Sequence, residues 1–276
     1  MSIDTWLAHA TKILKDAGIN TAKLDAELLL AHTLRKPRTY LHAHGDDDLE
    51  ARQYEIAEAR LDLRLDRVPI AYIIGHKDFY GRRFKVTTAT LIPRPESEDL
   101  ITLLDSAVPK NETLLKDEPY RIVDVGTGSG ILGITAKLEY PESEVALLDI
   151  SRHALQVAEE NAKNLKADVT TIQSDLLAQY PYLADCIIAN LPYVDQSWER
   201  SLETDHEPSQ ALFADDGGKA LIYDLLEQTT ASLRPGGHII VEADPVQHGD
   251  IIKEAAKYKI VHVETMHYGI LLQKIA

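Results

Sequence analysis

Two short stretches of this sequence gather residue types that can do chemistry. The first is residues 124–133, Asp-Val-Gly-Thr-Gly-Ser-Gly-Ile-Leu-Gly. Glycines let the main chain pass close to a ligand, and the free amides at the start of a following helix face it. Gly128, Gly130 and Gly133 satisfy G-x-G-x-x-G, a pattern that is weak alone. Asp149 strengthens it, because it ends the next apolar run, where a carboxylate can accept both hydroxyl protons of a ribose. Nicotinamide dinucleotides and S-adenosylmethionine both carry such a ribose. Asp175 falls just after a third short run, placed to accept from an exocyclic amine such as that of adenine. The same position also suits an ordinary helix cap.

The second stretch is residues 187–193, Ile-Ile-Ala-Asn-Leu-Pro-Tyr. A dehydrogenase has no need of this corner, whereas methyl transfer to a planar NH2 group does. In such a group the nitrogen lone pair is delocalised. Two acceptors, the Asn190 side-chain oxygen and the Leu191 carbonyl, can hold its two hydrogens and aim the lone pair at an electrophilic methyl. Pro192 fixes the backbone direction and the Tyr193 ring can pack against a planar substrate. The work is positioning for in-line displacement, a contribution of roughly 7 to 11 kcal/mol. No strong base is required, since the proton leaves once the nitrogen has become cationic.

These residues need strands to carry them. The apolar run 186–189 is too short for a helix and suits a strand buried on both faces of a parallel sheet. Asn190 then opens the loop at its carboxyl end, where open α/β sheets place their ligands. Strands are expected at 121–126, 145–150, 169–173 and 237–242, with helices after the glycine turn and at 154–165, 219–233 and 251–257. Two last strands, 260–265 and 270–275, flank a turn too short for any but antiparallel neighbours.

Residues 1–75 instead show helical periodicity. Trp6, Ala10, Ile13, Leu14 and Ala17 form one stripe closed by Gly18. Thr21 is placed to cap a second helix with Leu24, Leu28 and Leu29 on its apolar face. A short helix after Pro37 and a longer one over 49–65 complete a small bundle. Between the two parts, residues 76–95 read as a β-hairpin turning near Gly81, with Pro93 and Pro95 stiffening the exit before a helix from Glu96.

Composition bounds the rest. The chain has 276 residues, 45% of them apolar, and a net charge of −15. Such a balance argues against a protein whose main business is gripping nucleic acid phosphates. Residues 76–95 alone are basic, with Lys77, Arg82, Arg83, Lys85 and Arg94 against Asp78. They form either a solvated linker surface or a local docking strip. The single Cys186 excludes an intramolecular disulfide and reads as a buried structural thiol. His42 and His44 beside Asp46, Asp47 and Asp48 read as a solvated loop, so no metal is expected. No apolar run is long enough to span a membrane, and no charged leader precedes an apolar core, so a cytoplasmic location is expected.

With these motifs in place, the chain resembles the HemK/PrmC protein-(glutamine-N5) methyltransferases, which modify the glutamine of the Gly-Gly-Gln motif in peptide chain release factors. Residues 69–75, Pro-Ile-Ala-Tyr-Ile-Ile-Gly, resemble the segment closing that family's helical domain. Leu-Ile-Pro-Arg-Pro-Glu-Ser-Glu at 91–98 is similar to its LIPRPETE signature, residues 124–130 to its cofactor loop, and Glu207-Pro208 through Ala211-Leu212 to its EPxxAL stretch. The resemblance implies an α/β fold. A Rossmann-like class I methyltransferase sheet of seven mostly parallel strands would end in an antiparallel hairpin. It implies a helical substrate-binding domain at 1–75, the hairpin connector at 76–95 and the methyltransferase domain at 96–276.

S-adenosylmethionine would then be the cofactor and S-adenosylhomocysteine its product. Gly126, Thr127, Gly128, Ser129, Gly130, Asp149, Asp175, Leu176 and Asn190 would bind the cofactor. Asn190, Leu191, Pro192 and Tyr193 would hold the glutamine amide of the release factor, with no nucleic acid substrate and a monomeric enzyme. The alternative is an adenine-N6 methyltransferase acting on RNA or DNA, because Asn-Leu-Pro-Tyr also occurs in rRNA adenine dimethyltransferases. In those enzymes the helical domain follows the catalytic one, whereas here it precedes. Three departures stand out: Leu191 where the family usually has proline, Leu176 where many members have an aromatic beside the adenine, and Ser97 for threonine.

Overall fold

Alternation of short apolar runs with amphipathic helices builds a sheet covered on both faces, and the helical first quarter builds its own core. The computed structural model describes residues 1–108 and 119–275. It divides into two units, residues 1–76 with 201–206, and residues 77–200 with 207–276. No helix among the described residues is long and apolar enough to cross a membrane.

The first unit contains α1 (Ile3–Asp16), α2 (Ala22–Leu34), α3 (Arg38–Ala43), α4 (Ala51–Leu65) and α5 (Ile70–Ile74). Its core is built on Trp6, Leu14, Leu29, Leu30 and Leu41, all fully buried. The α2 face differs from the expected stripe, since Leu24 is exposed while Asp25 and Glu27 are buried. Partners explain it. Arg64 Nε donates to Asp25 Oδ2 at 2.8 Å and Arg38 Nε to Glu27 Oε2 at 3.0 Å, and a paired carboxylate can be buried where a lone one cannot. Thr21 does not cap α2 by accepting; its hydroxyl donates to Asp25 Oδ2 at 2.9 Å.

Residues 201–206 join this unit as a 3-10 turn, Leu202–His206, held by Arg64 Nη2 on Glu203 Oε1 at 3.0 Å and by the His206 ring on the Asp66 carbonyl at 2.9 Å. No periodicity in the sequence marks that excursion.

A two-stranded ribbon, β1 (His76–Phe79) and β2 (Arg82–Lys85), turns through Tyr80 and Gly81. Both turn residues have positive φ, 47° and 72°, the backbone twist that a two-residue hairpin loop demands. A 3-10 turn at Pro95–Ser97 leads into α6 (Glu98–Ala107), so the helix expected from Glu96 begins two residues later. The basic strip is largely spent inside the chain. Arg82 pairs with Glu139, Arg83 with Asp78, Lys85 with Glu160 and Arg94 with Glu207.

Then follow β3 (Arg121–Val125), α7 (Ile131–Glu139), β4 (Glu144–Asp149), α8 (Arg152–Leu165), β5 (Thr170–Gln173) and β6 (Ala184–Ala189). The chain continues through a short turn α9 (Asp215–Gly218), α10 (Ala220–Ser232), β7 (Leu233–Glu242), α11 (His248–Ala256), β8 (Ile260–Met266) and β9 (Gly269–Lys274). The seven strands lie in the order β5-β4-β3-β6-β7-β9-β8. All neighbours are parallel up to β7, and β9 runs antiparallel to both β7 and β8. Along β6, Cys186 and Ile188 enter one core and Ile187 and Ala189 the other. Burial on both faces is why this strand reads as an unbroken apolar run.

Candidate active site

Strand order reverses at β3, which has β4 on one side and β6 on the other, and ligands of open α/β sheets bind at such a switch point. Register does the rest. Val125 pairs with Leu148 and with Ala189, so the next residue on each strand, Gly126, Asp149 and Asn190, stands at the same level. Ala189 also pairs with Val241, which sets Glu242 beside Asn190.

These tips open into a cavity of about 640 Å³ lined by Gly126, Gly128, Asp149, Asp175, Leu176, Asn190, Leu191 and Pro192. Thr90 and Leu91 from the connector and Pro208, Gln210, Ala211 and Phe213 line it too. The two signature stretches are fastened together: Arg94 Nη2 donates to Glu207 Oε1 at 2.5 Å and the Ile92 amide to Glu207 Oε2 at 3.1 Å.

The glycine loop is shaped from below. Asp124 is buried on β3, and its Oδ2 accepts from the Thr127 hydroxyl at 2.6 Å and the Gly133 amide at 2.8 Å. Desolvation pushes its carboxyl up to about 6 despite those bonds. Asn161, also buried, donates to the Ser129 carbonyl at 2.8 Å and exchanges hydrogen bonds with the Lys85 backbone. Thr127, Ser129 and Gly130 are therefore not among the residues lining the cavity. Gly126 has φ 72°, and a Cβ there would stand 2.8 Å from Leu191 Cδ2. Gly128 has φ 55° and open space where a Cβ would be, leaving bare main chain toward the ligand.

Asp149 accepts from the Gly128 amide at 2.9 Å and the Ser151 amide at 2.8 Å, one on each oxygen. A carboxylate has about four acceptor positions, so both oxygens retain capacity for ribose hydroxyls. Burial raises its pKa above the ordinary carboxylate range. Asp175 starts no helix. Its turn is closed by the Ser174 hydroxyl, which accepts from Gln179 N at 3.1 Å, and by Gln179 Oε1, which accepts from Asp175 N at 2.7 Å. The capping function thus falls on its neighbours, and the exposed Asp175 side chain borders the cavity. These features fit S-adenosylmethionine: a cleft at a switch point, bare main chain, and acceptors at two separate places.

At the corner, Asn190 Nδ2 donates to Ser97 Oγ at 2.9 Å and to Glu242 Oε2 at 3.0 Å. The Tyr193 hydroxyl donates to Glu242 Oε1 at 2.9 Å, so its ring is tied to Glu242 and does not line the cavity. Ser97 in place of threonine keeps the hydroxyl that this contact uses. Leu191 is buried against Gly126, a packing restraint on the corner just before Pro192. The sequence motifs include Asp124 within the glycine stretch and Ser97 within the 91–98 signature without assigning either a role, and they do not single out Glu242 or Asn161. The available signal was an acid ending the apolar run 238–242 at the same strand level as Asn190.

A family model described as the PrmC N-terminal domain matches residues 5–75, and one described as the methyltransferase small domain matches residues 106–208. The release factor glutamine methyltransferase of Koribacter versatilis is 36% identical, over 95% of this chain and 94% of that protein. Its Escherichia coli counterpart is 32% identical, over 92% of this chain and 90% of that one. Among solved structures, a methyltransferase from Pyrococcus furiosus is similar with TM-score 0.53 and 14% identity, covering 79% of this chain and 98% of that one. This last likeness concerns the fold alone. Identity above 30% along almost the full length of both chains means that this chain belongs to the family of release factor glutamine methyltransferases.

Proposed function

We propose that this chain transfers a methyl group from S-adenosylmethionine to the side-chain amide nitrogen of the glutamine in the Gly-Gly-Gln motif of peptide chain release factors. The observation that carries this reading is the corner at the tip of β6, where Asn190 borders the cavity with its own NH2 already committed to Ser97 and Glu242. What remains is an acceptor. Bound S-adenosylmethionine supplies an electrophilic methyl group.

The Asn190 side-chain oxygen and the Leu191 carbonyl accept the two N–H groups of the substrate amide and direct its lone pair. Pro192 fixes the path of the carbonyl, and Tyr193, held on Glu242 outside the cavity lining, supports the corner from behind. Asp149 binds the ribose hydroxyls and Asp175 the exocyclic amine of the cofactor. Gly126 and Gly128 present main chain to it, with Leu176 alongside, and Thr127, Ser129 and Gly130 shape that loop from behind. The nitrogen sheds its proton after the carbon–nitrogen bond has formed, so no side chain acts as base.

In this reading residues 1–75 are the domain that recognises the release factor, 76–95 the connector and 96–276 the catalytic domain. The enzyme works as a cytoplasmic monomer on protein rather than nucleic acid. Incubation with labelled S-adenosylmethionine and a release factor carrying either Gln or another residue in its Gly-Gly-Gln loop tests it. Label is expected only with Gln. Label independent of that residue, or found only on nucleic acid, overturns the assignment.

A further inference from the structure

One buried carboxylate borders the corner without a part in the transfer described above. Glu242 ends β7, is 1% exposed, and reaches Asn190 because the strand register sets the two side by side. It accepts from Asn190 Nδ2 at 3.0 Å and from the Tyr193 hydroxyl at 2.9 Å. The Ser97 hydroxyl is the second acceptor of Asn190 Nδ2, at 2.9 Å. One carboxylate thus gathers the amide and the phenol of the corner.

A side-chain amide has nearly the same shape with its oxygen and nitrogen exchanged, and only its surroundings choose between the two. In Asn190 both N–H groups are consumed on the side away from the cavity, which leaves Oδ1 for whatever enters. Turned over, the amide would set Oδ1 against a carboxylate and offer N–H groups to a substrate nitrogen that carries only hydrogens. That orientation cannot hold a planar NH2.

We propose that Glu242 is a positioning residue that fixes the polarity of Asn190, oxygen toward the cavity, and through the Tyr193 hydroxyl holds the neighbouring ring. The proposal rests on reading the site as a centre for methyl transfer to a planar NH2. It adds that the acceptor character of the corner is imposed by a carboxylate from the adjacent strand.

Glu242→Gln keeps the volume and removes the symmetry of the carboxylate. Its single oxygen can accept from Asn190 or from Tyr193; the phenol could accept from the new NH2 only by turning its own hydrogen away from the acceptor it has here, so the oxygen stays on Tyr193 and the NH2 confronts the Asn190 NH2. Asn190 relieves the conflict by turning over. Adding Asn190→Asp reverses the logic. One aspartate oxygen accepts from the Gln NH2, the Gln oxygen still accepts from Tyr193, and the second aspartate oxygen faces the cavity as an acceptor.

The test measures kcat and KM with labelled S-adenosylmethionine, cofactor affinity by calorimetry, and thermal unfolding of each variant. In E242Q, kcat is expected to fall on the order of 100-fold, with cofactor affinity, KM and melting temperature little changed. N190D/E242Q is expected to be at least about tenfold faster than E242Q, a coupling that independent sites do not show. E242Q at the wild-type rate, or a double variant no faster than E242Q, overturns the proposal. Should E242Q not fold, Glu242→Asp keeps the charge but draws it back from Asn190 and is expected to lower kcat about tenfold, and a wild-type rate there overturns the proposal instead. Every ratio is taken on the acceptor that the wild-type enzyme methylates. Failure to label glutamine would therefore strike the function while leaving the orientation of Asn190 separately decided.

Discussion

On the proposed reading, Asn190 and Asp149 are separable at the scale of single residues, one addressing the group to be methylated and the other the cofactor. Asn190→Ala removes the side-chain acceptor at the corner but leaves Asp149 and the glycine loop intact. Transfer is expected to drop by on the order of 10² to 10³-fold, with cofactor affinity by calorimetry still measurable. Transfer near the wild-type rate would refute the acceptor role. Asp149→Ala leaves the Gly128 and Ser151 amides without their shared acceptor and removes the ribose partner, so cofactor affinity is expected to weaken by at least about tenfold. Unchanged affinity would count against the ribose contact.

The placement of both residues beside the cavity was legible in the sequence because each ends an apolar run that reads as a strand, and strand tips are where such sheets bind ligands. Glu242 also ends a strand, yet its part was not legible. Its meaning depends on which strand lies beside β6, and chain order does not state that.

Elements show the same division between what is local and what is paired. Helix and strand types followed from periodicity, and the Tyr80-Gly81 turn from its glycine and the change of period around it. The buried face of α2 did not follow, because Asp25 and Glu27 enter the core on the strength of arginines that lie eleven or more residues away in the chain. The connector reads as a stiff hairpin, but what fastens it is Asn161 on α8. That one amide bonds Lys85 on β2 and Ser129 in the glycine loop. Asn161→Ala would leave three buried or half-buried backbone groups unpaired. It is expected to destabilise the protein by roughly 2 to 4 kcal/mol in urea unfolding and to weaken cofactor binding as well, since the loop loses its tether. A loss below about 0.5 kcal/mol would show that water replaces the amide without cost.

For the whole molecule, the response of stability to acid is set by carboxyls that lie outside the ordinary surface population. With 44 acidic against 29 basic side chains, most carboxylates stand in water, and some, such as Asp250 hydrogen-bonded by Lys219, lie below the usual range. Those contribute stability at neutral pH and lose it as pH falls. Asp124 has the opposite sign. Desolvation raises its folded pKa from 3.8 to about 6, so the folded state holds this proton more tightly than the unfolded chain does. The contribution of Asp124 is fully present below the unfolded value and is lost as pH rises through about 6.

Burial raises Asp149 and Glu242 in the same direction, so a pH titration of the wild type alone mixes several groups. Comparison with Asp124→Asn isolates one, since the amide does not ionise. Urea unfolding at about pH 4 and about pH 7.5 is expected to show wild type losing ground to Asp124→Asn by up to roughly 3 kcal/mol at the higher pH. A difference between the two proteins that stays constant with pH would mean that Asp124 titrates at its unfolded value within the fold. A difference that moves in favour of wild type at higher pH would mean that the Thr127 and Gly133 hydrogen bonds outweigh the burial of its charge.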